Sequence, residues 1–210
     1  MTLGDPPPTI GHAGSDTQRA IRELFADSIR VKQAFLADQL GGLERAVDLV
    51  VEALAEGNKV VLFGNGGSAA DAQHLAAEFV GRFRLERKAL SAIALTTDTS
   101  ALTAIANDYG YEQVFARQVR ALALPGDVAL AISTSGRSPS VLRAVEACHQ
   151  RGVRVIALTG GEGGPLLAMA DVGLLVAASR QSARIQETHI LVGHVICELV
   201  DRRLAGRARP

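Results

Sequence analysis

The sequence has no surplus of either charge: 22 Lys and Arg residues are matched by 22 Asp and Glu, for a formal net charge of zero. A nucleic-acid backbone is held by neutralising its phosphates, so this balance argues against a polynucleotide partner. Cysteine is scarce. Cys148 and Cys197 are the two in the chain, and both fall in apolar stretches with a helical pattern, where a thiol behaves as a small hydrophobe. That usage predicts a reducing compartment and no disulfide framework. Long hydrophobic runs are missing too: none approaches the roughly 20 residues needed to span a bilayer, and the N-terminus shows neither a basic nor an apolar leader segment. A cytoplasmic protein with no membrane contact is expected.

What is present is apolar substance in short pieces. With 48% hydrophobic residues in 210, the chain can bury one substantial core. Residues 1–15, with Pro6, Pro7 and Pro8 and almost no apolar periodicity, are predicted to be a disordered tail. A single domain is then expected over 16–210. It opens with two amphipathic helices, one carrying Ile21, Leu24, Phe25, Ile29, Val31 and Phe35, the next Leu43, Ala46, Val47, Val50, Val51 and Leu54. After Gly57 the texture becomes a βα alternation. Apolar runs at Val60–Phe63, Ala92–Leu95, Val128–Ile132, Val153–Leu158 and Val172–Val176 lack in/out alternation, as strands of a parallel sheet covered on both faces do. A three-layer α/β sandwich with a five-stranded parallel sheet, flavodoxin-like, follows. The last helix, about Arg184 to Leu204, has an apolar surface broad enough for a core or an interface between subunits.

Two loops after strands carry candidate chemistry. The first strand runs into Gly64-Asn65-Gly66-Gly67-Ser68 ahead of a helix, so backbone N–H groups and the helix N-terminus can hold an anion. The same glycines with Ala69 mimic a dinucleotide fingerprint, but the acidic residue expected about 20 positions on is not in place. The third strand ends in Ser133-Thr134-Ser135-Gly136-Arg137-Ser138, a cradle of hydroxyls in which Arg137 is available to a phosphate. As a plain alternative, that stretch is a helix cap followed by Pro139 at the first turn. Two such loops at the carboxyl edge of one sheet favour a phosphate. Behind the first loop, His74 and Glu78 share a helix face, a solvated pair if they stand alone. The last helix adds Gln186, Glu187, His189 and His194, and their gathering beside a phosphate loop would make a zinc or acid–base site.

These residues together resemble a known family. Gly64 to Ser68, Asp71 to His74 with Glu78, Thr103 to Gly110, Ser133 to Gly136, Arg184 to Glu187, His189 and His194 are similar to the SIS (sugar isomerase) domain, in particular to its phosphoheptose isomerases. The resemblance implies a homotetramer with sites between subunits and a zinc ion on His74, Glu78, Gln186 and His194. It implies that Asn65, Gly66, Gly67, Ser68, Asn107, Asp108, Ser133, Thr134, Ser135, Ser138 and Gln186, with Glu78, contact a sugar phosphate. The activity implied is isomerisation of sedoheptulose 7-phosphate, with heptose supply for envelope glycans as its use. A non-catalytic SIS relative that binds the bacterial replication initiator is the alternative; it lacks the acid–base pair that Glu78 and His194 would form. Ala183 stands where some enzymatic relatives carry aspartate.

Moving a proton between C1 and C2 of a ketose needs a base that reaches both carbons and an acid at the oxygens. Glu78 is assigned the first role and His194 the second. Gln186 and His194 raise a geometric question, because eight helical residues separate their Cα atoms by about 12 Å along the axis and about 80° around it. Either Gln186 precedes the regular helix or the two meet from different subunits.

Overall fold

A computed structural model of the chain describes residues 13–205. Helix α1 (Ala13–Ala55) leads into strand β1 (Val60–Gly64) and helix α2 (Gly67–Val80). Next come β2 (Ala92–Ala94), α3 (Thr99–Tyr109), a single 3-10 turn (Tyr111–Gln113) and α4 (Val114–Leu122). The chain closes with β3 (Val128–Ser133), α5 (Pro139–Gln150), β4 (Arg154–Gly160), α6 (Gly164–Met169), β5 (Val172–Val176) and α7 (Ser182–Ala205). All five strands are parallel, in the order β2-β1-β3-β4-β5.

The apolar runs are strands because they are covered twice. On one face Leu62, Leu130, Ile156 and Leu174 pack with Val47 of α1, Leu75 of α2 and Ile196 of α7. On the other, Val61, Phe63, Ala129, Ala131 and Val155 pack with Phe115 of α4 and Val145 of α5. The central strands β1 and β3 are buried at every residue. Edge strand β5 departs from the expected unbroken burial: Val172, Leu174 and Val176 are buried while Gly173 and Leu175 are only partly so. Its outer face has less cover.

Two expectations need correction. The two leading helices are one helix of 43 residues. Gly41-Gly42, which divides the two apolar stretches, does not break it, because Gly42 serves close packing: a Cβ there would lie 3.1 Å from Leu174 Cδ2 on β5. The helix also starts at Ala13, inside the segment expected to be a tail; the remainder of that tail, residues 1–12, lies outside the described residues.

Candidate active site

The sheet order reverses direction between β1 and β3, and a crevice opens there at the carboxyl ends of the strands. Gly64 pairs with Ile132 at this edge, so the loops after β1 and β3 lie side by side. Asn65 joins them: its amide donates to Ser138 Oγ at 2.8 Å and to Ser140 Oγ at 3.0 Å, while Tyr111 donates its hydroxyl to Asn65 Oδ1 at 2.9 Å. The second loop is folded tightly. Gly136 has φ +62°, and a Cβ would strike Gly163 O at 1.8 Å, so only glycine fits. Ser133 Oγ accepts from the Gly136 N–H, and Ser135 Oγ from the Arg137 N–H.

Between these loops lies a cavity of about 170 Å³ lined by Asn65, Ser68, Ile132, Ser133, Thr134, Ser135, Ser138 and Gln186. The N-termini of α2 and α5 border it, each adding about half a positive charge. Seven of the expected sugar-phosphate contacts thus meet in one place, with Gly66 and Gly67 in the chain between its lining residues Asn65 and Ser68. Gln186 reaches in from α7 so closely that a Cβ on Gly67 would lie 2.5 Å from its Nε2. Asn107 and Asp108 do not line the cavity; they are exposed on α3, and Asn107 donates to Asp108 Oδ1. Arg137 stands in the adjoining cleft, where exposed Glu162 lies 3.7 Å from it and 2.8 Å from Arg180.

A second cluster lies farther along the same two helices. Leu75 of α2 presses on α7 at Gly193, where a Cβ would be 2.5 Å from Leu75 Cδ1. That contact brings His74 Nε2 to 2.9 Å from His194 Nε2 and 3.4 Å from Glu78 Oε1. One ligand atom from each of His74, Glu78 and His194 lies within 4.8 Å of the others, a group that could hold a metal ion. The donor set fits such an ion, since two imidazoles and a carboxylate are common ligands of zinc. Burial, with His74 alongside, pushes the His194 imidazole below its ordinary pKa and favours the neutral, ligating form. Phe83 stacks on His194 with centroids 5.3 Å apart.

The structure separates the other residues of the expected gathering. Gln186 lies within regular α7, two turns before His194, and lines the polar cavity. Glu187 turns to α1, accepting from Ser28 at 2.6 Å and from Arg184 at 3.0 Å. His189 is buried against β4, its Nε2 3.1 Å from Thr159 O and its Nδ1 without a partner; burial pushes its pKa down to about 4, although the Thr159 contact opposes this. Tyr111 and Phe83 reach these clusters without a local pattern that marks them, since aromatics at such positions read as core. Arg87 and Asp201 also escaped notice, because charged residues ordinarily read as solvated.

Comparison with known proteins sets the class and then the family. Residues 23–160 match the family model described as the SIS domain, which fits the β2-β1-β3-β4-β5 sheet and its serine-rich crevice. The phosphoheptose isomerase of Aquifex aeolicus (strain VF5) is 50% identical over 90% of this chain and 98% of its own. That of Roseiflexus sp. (strain RS-1) is 54% identical over 90% and 95%. The solved phosphoheptose isomerase from Neisseria gonorrhoeae superposes with a TM-score of 0.82 at 48% identity, covering 89% of this chain and 99% of that one. The chain belongs to the phosphoheptose isomerase family of SIS-domain proteins.

Proposed function

We propose that the protein converts D-sedoheptulose 7-phosphate to D-glycero-D-manno-heptose 7-phosphate, an aldose–ketose isomerisation through an enediol. The observation that carries this reading is the spacing of two sites on the same pair of helices. Gln186 in the polar cavity and His194 in the second cluster are eight residues apart on α7, about 12 Å along its axis. An extended chain covers about 3.5 Å per three bonds. The eight bonds from C1 of an open-chain heptose to its 7-phosphate phosphorus therefore reach about 9 Å, so a phosphate among Ser133, Thr134, Ser135 and Ser138 leaves C1 and C2 near Glu78 and His194.

In this scheme the serine loop and the N-termini of α2 and α5 hold the phosphate and fix orientation, an effect that can supply several kcal/mol of barrier reduction. Glu78, on a rigid helix, moves the proton between C1 and C2. His194 serves the oxygens and opens the ring. His74, Glu78 and His194 would hold a zinc ion, which supplies Lewis-acid polarisation of the substrate oxygens when bound. Three protein ligands leave one position open, as in catalytic zinc sites. The presence of Glu78 beside His194 favours catalysis over the initiator-binding alternative. Asn107 and Asp108 are proposed to meet substrate as well, with α3, which has no buried residue, moving to bring them in. A cytoplasmic homotetramer completes the proposal. Its test is incubation with sedoheptulose 7-phosphate, with and without a chelator, followed by NMR. Appearance of the aldose, suppressed by chelation, is expected; an unchanged spectrum rejects the reading.

A further inference from the structure

A buried ion pair two turns beyond His194 has no part in the chemistry above. Arg87 and Asp201 have side chains only 2% and 1% exposed, with Arg87 Nε donating to Asp201 Oδ1 at 2.5 Å. Burying two charges is costly unless every polar atom is paired, and here the pairing is extensive. Arg87 Nη2 donates to Glu78 O at 2.9 Å, and Nη1 to Phe79 O at 2.9 Å, Lys88 O at 3.0 Å and Gly81 O at 3.3 Å. Asp201 Oδ2 accepts the backbone N–H groups of Arg84 and Leu85 at 3.1 and 3.3 Å. Arg87 thus caps the C-terminal carbonyls of α2, where a positive charge is favoured. Asp201 holds the following turn, which carries Phe83 against His194.

We propose that Arg87 and Asp201 are positioning residues for the His74–Glu78–His194 cluster, locking the Glu78 end of α2 to α7 so that groups from two helices converge. The geometry supports this directly. Glu78 is gripped through its own carbonyl, while Asp201 lies seven residues after His194 and so on nearly the same face of α7. Arginine is needed because its planar fork reaches several acceptors at once, which a lysine ammonium cannot do.

The inference rests on the functional reading above, and its test separates the two. Arg87→Lys keeps the charge opposite Asp201 but gives up the multiple grip. The pair Arg87→Gln with Asp201→Asn removes both charges and leaves acceptors for the Arg84 and Leu85 N–H groups, in case the first variant folds poorly. Thermal unfolding, zinc affinity by competition with a chromophoric chelator, and kcat and KM on sedoheptulose 7-phosphate are measured for each. Folded variants should bind zinc about 10- to 100-fold more weakly, as outer-shell changes do. Their kcat should fall with KM nearly unchanged, because the phosphate loop is distant. Folded variants with wild-type zinc affinity and kcat would overturn the proposal, as would equal losses in kcat and KM that merely track Tm. If the wild-type protein takes up no zinc but is active, the metal reading fails, and the positioning role is judged on the kcat and KM split alone.

Discussion

Glu78 sits 3.4 Å from one imidazole nitrogen, with a second imidazole beyond it, on a helix whose end is held from behind. A carboxylate so placed can return a proton to a neighbouring carbon without moving its backbone. Replacing it with Gln preserves the shape and removes the base, so Glu78→Gln should fold and bind sugar phosphate yet turn over at least about a hundredfold more slowly. Near-normal turnover rejects the assignment. Arg137 calls for a smaller claim. It is 63% exposed and shares Glu162 with Arg180, so a hydrogen bond from it to a bound phosphate would belong at the weak end of the charge-assisted range of about 1.5–3 kcal/mol. Arg137→Ala should raise KM by about tenfold and spare kcat; an unchanged KM means the neutral hydroxyls and amides suffice. His189 concerns stability. Its folded pKa of about 4 lies below the ordinary 6.5, so the unfolded chain takes up a proton first as pH falls. Stability is full above pH 6.5 and declines between 6.5 and 4 by on the order of 3 kcal/mol. Gln at this position can still donate to Thr159 O, so His189→Gln should flatten the fall in Tm across that window. Parallel curves for the two proteins dismiss His189 as the cause.

At the scale of elements, the meeting of α2 and α7 decides whether a cluster exists. Gly193 is the contact, and a methyl group there would collide with Leu75, an overpacking that typically costs about 1–3 kcal/mol. Gly193→Ala should lower Tm and weaken zinc binding by separating His74 from His194. Adding Leu75→Ala should recover affinity even though it removes core volume, a coupling that a double-mutant cycle can measure. If Leu75→Ala restores nothing, the helix spacing is set elsewhere. The same contact explains what the sequence could reveal. His74 and Glu78 could be paired on paper because one helical turn relates them, and the strands showed as apolar runs because both sheet faces are covered. His194 comes from 120 residues away, and local pattern cannot place it beside His74; its gathering there could be considered from residue types, and the family resemblance made it an expectation. The two apolar stretches read as two helices, but one helix runs through both, because the need to pack α1 on Leu174 outweighs the poor helix propensity of Gly41-Gly42. Arg87 and Asp201 were illegible because burial and pairing are properties of the folded chain.

For the whole molecule, the outer face of α1 matters most. Ile21, Leu24, Phe25, Ile29, Leu36 and Leu40 are each at least half exposed, and Ile29 and Leu36, with Leu191 of α7 at 43%, line an apolar groove of about 310 Å³. So much contiguous apolar surface is unusual on a monomer and fits the proposed homotetramer. If subunits assemble through this face, the proposed catalytic pair, Glu78 and His194, still need not be divided between chains. Glu78 and His194 converge within one chain through the α2–α7 contact, while Gln186, eight residues before His194 within regular α7, lines the polar cavity. Mixing inactive Glu78→Gln protein with inactive His194→Ala protein under conditions of subunit exchange tests this. Each chain would carry a cluster lacking one member, and no mixed tetramer could assemble a complete one. Activity should stay absent although native mass spectrometry shows mixed oligomers. A return of activity would mean that the pair acts across subunits, and that the cluster within a single chain is not the one that turns over.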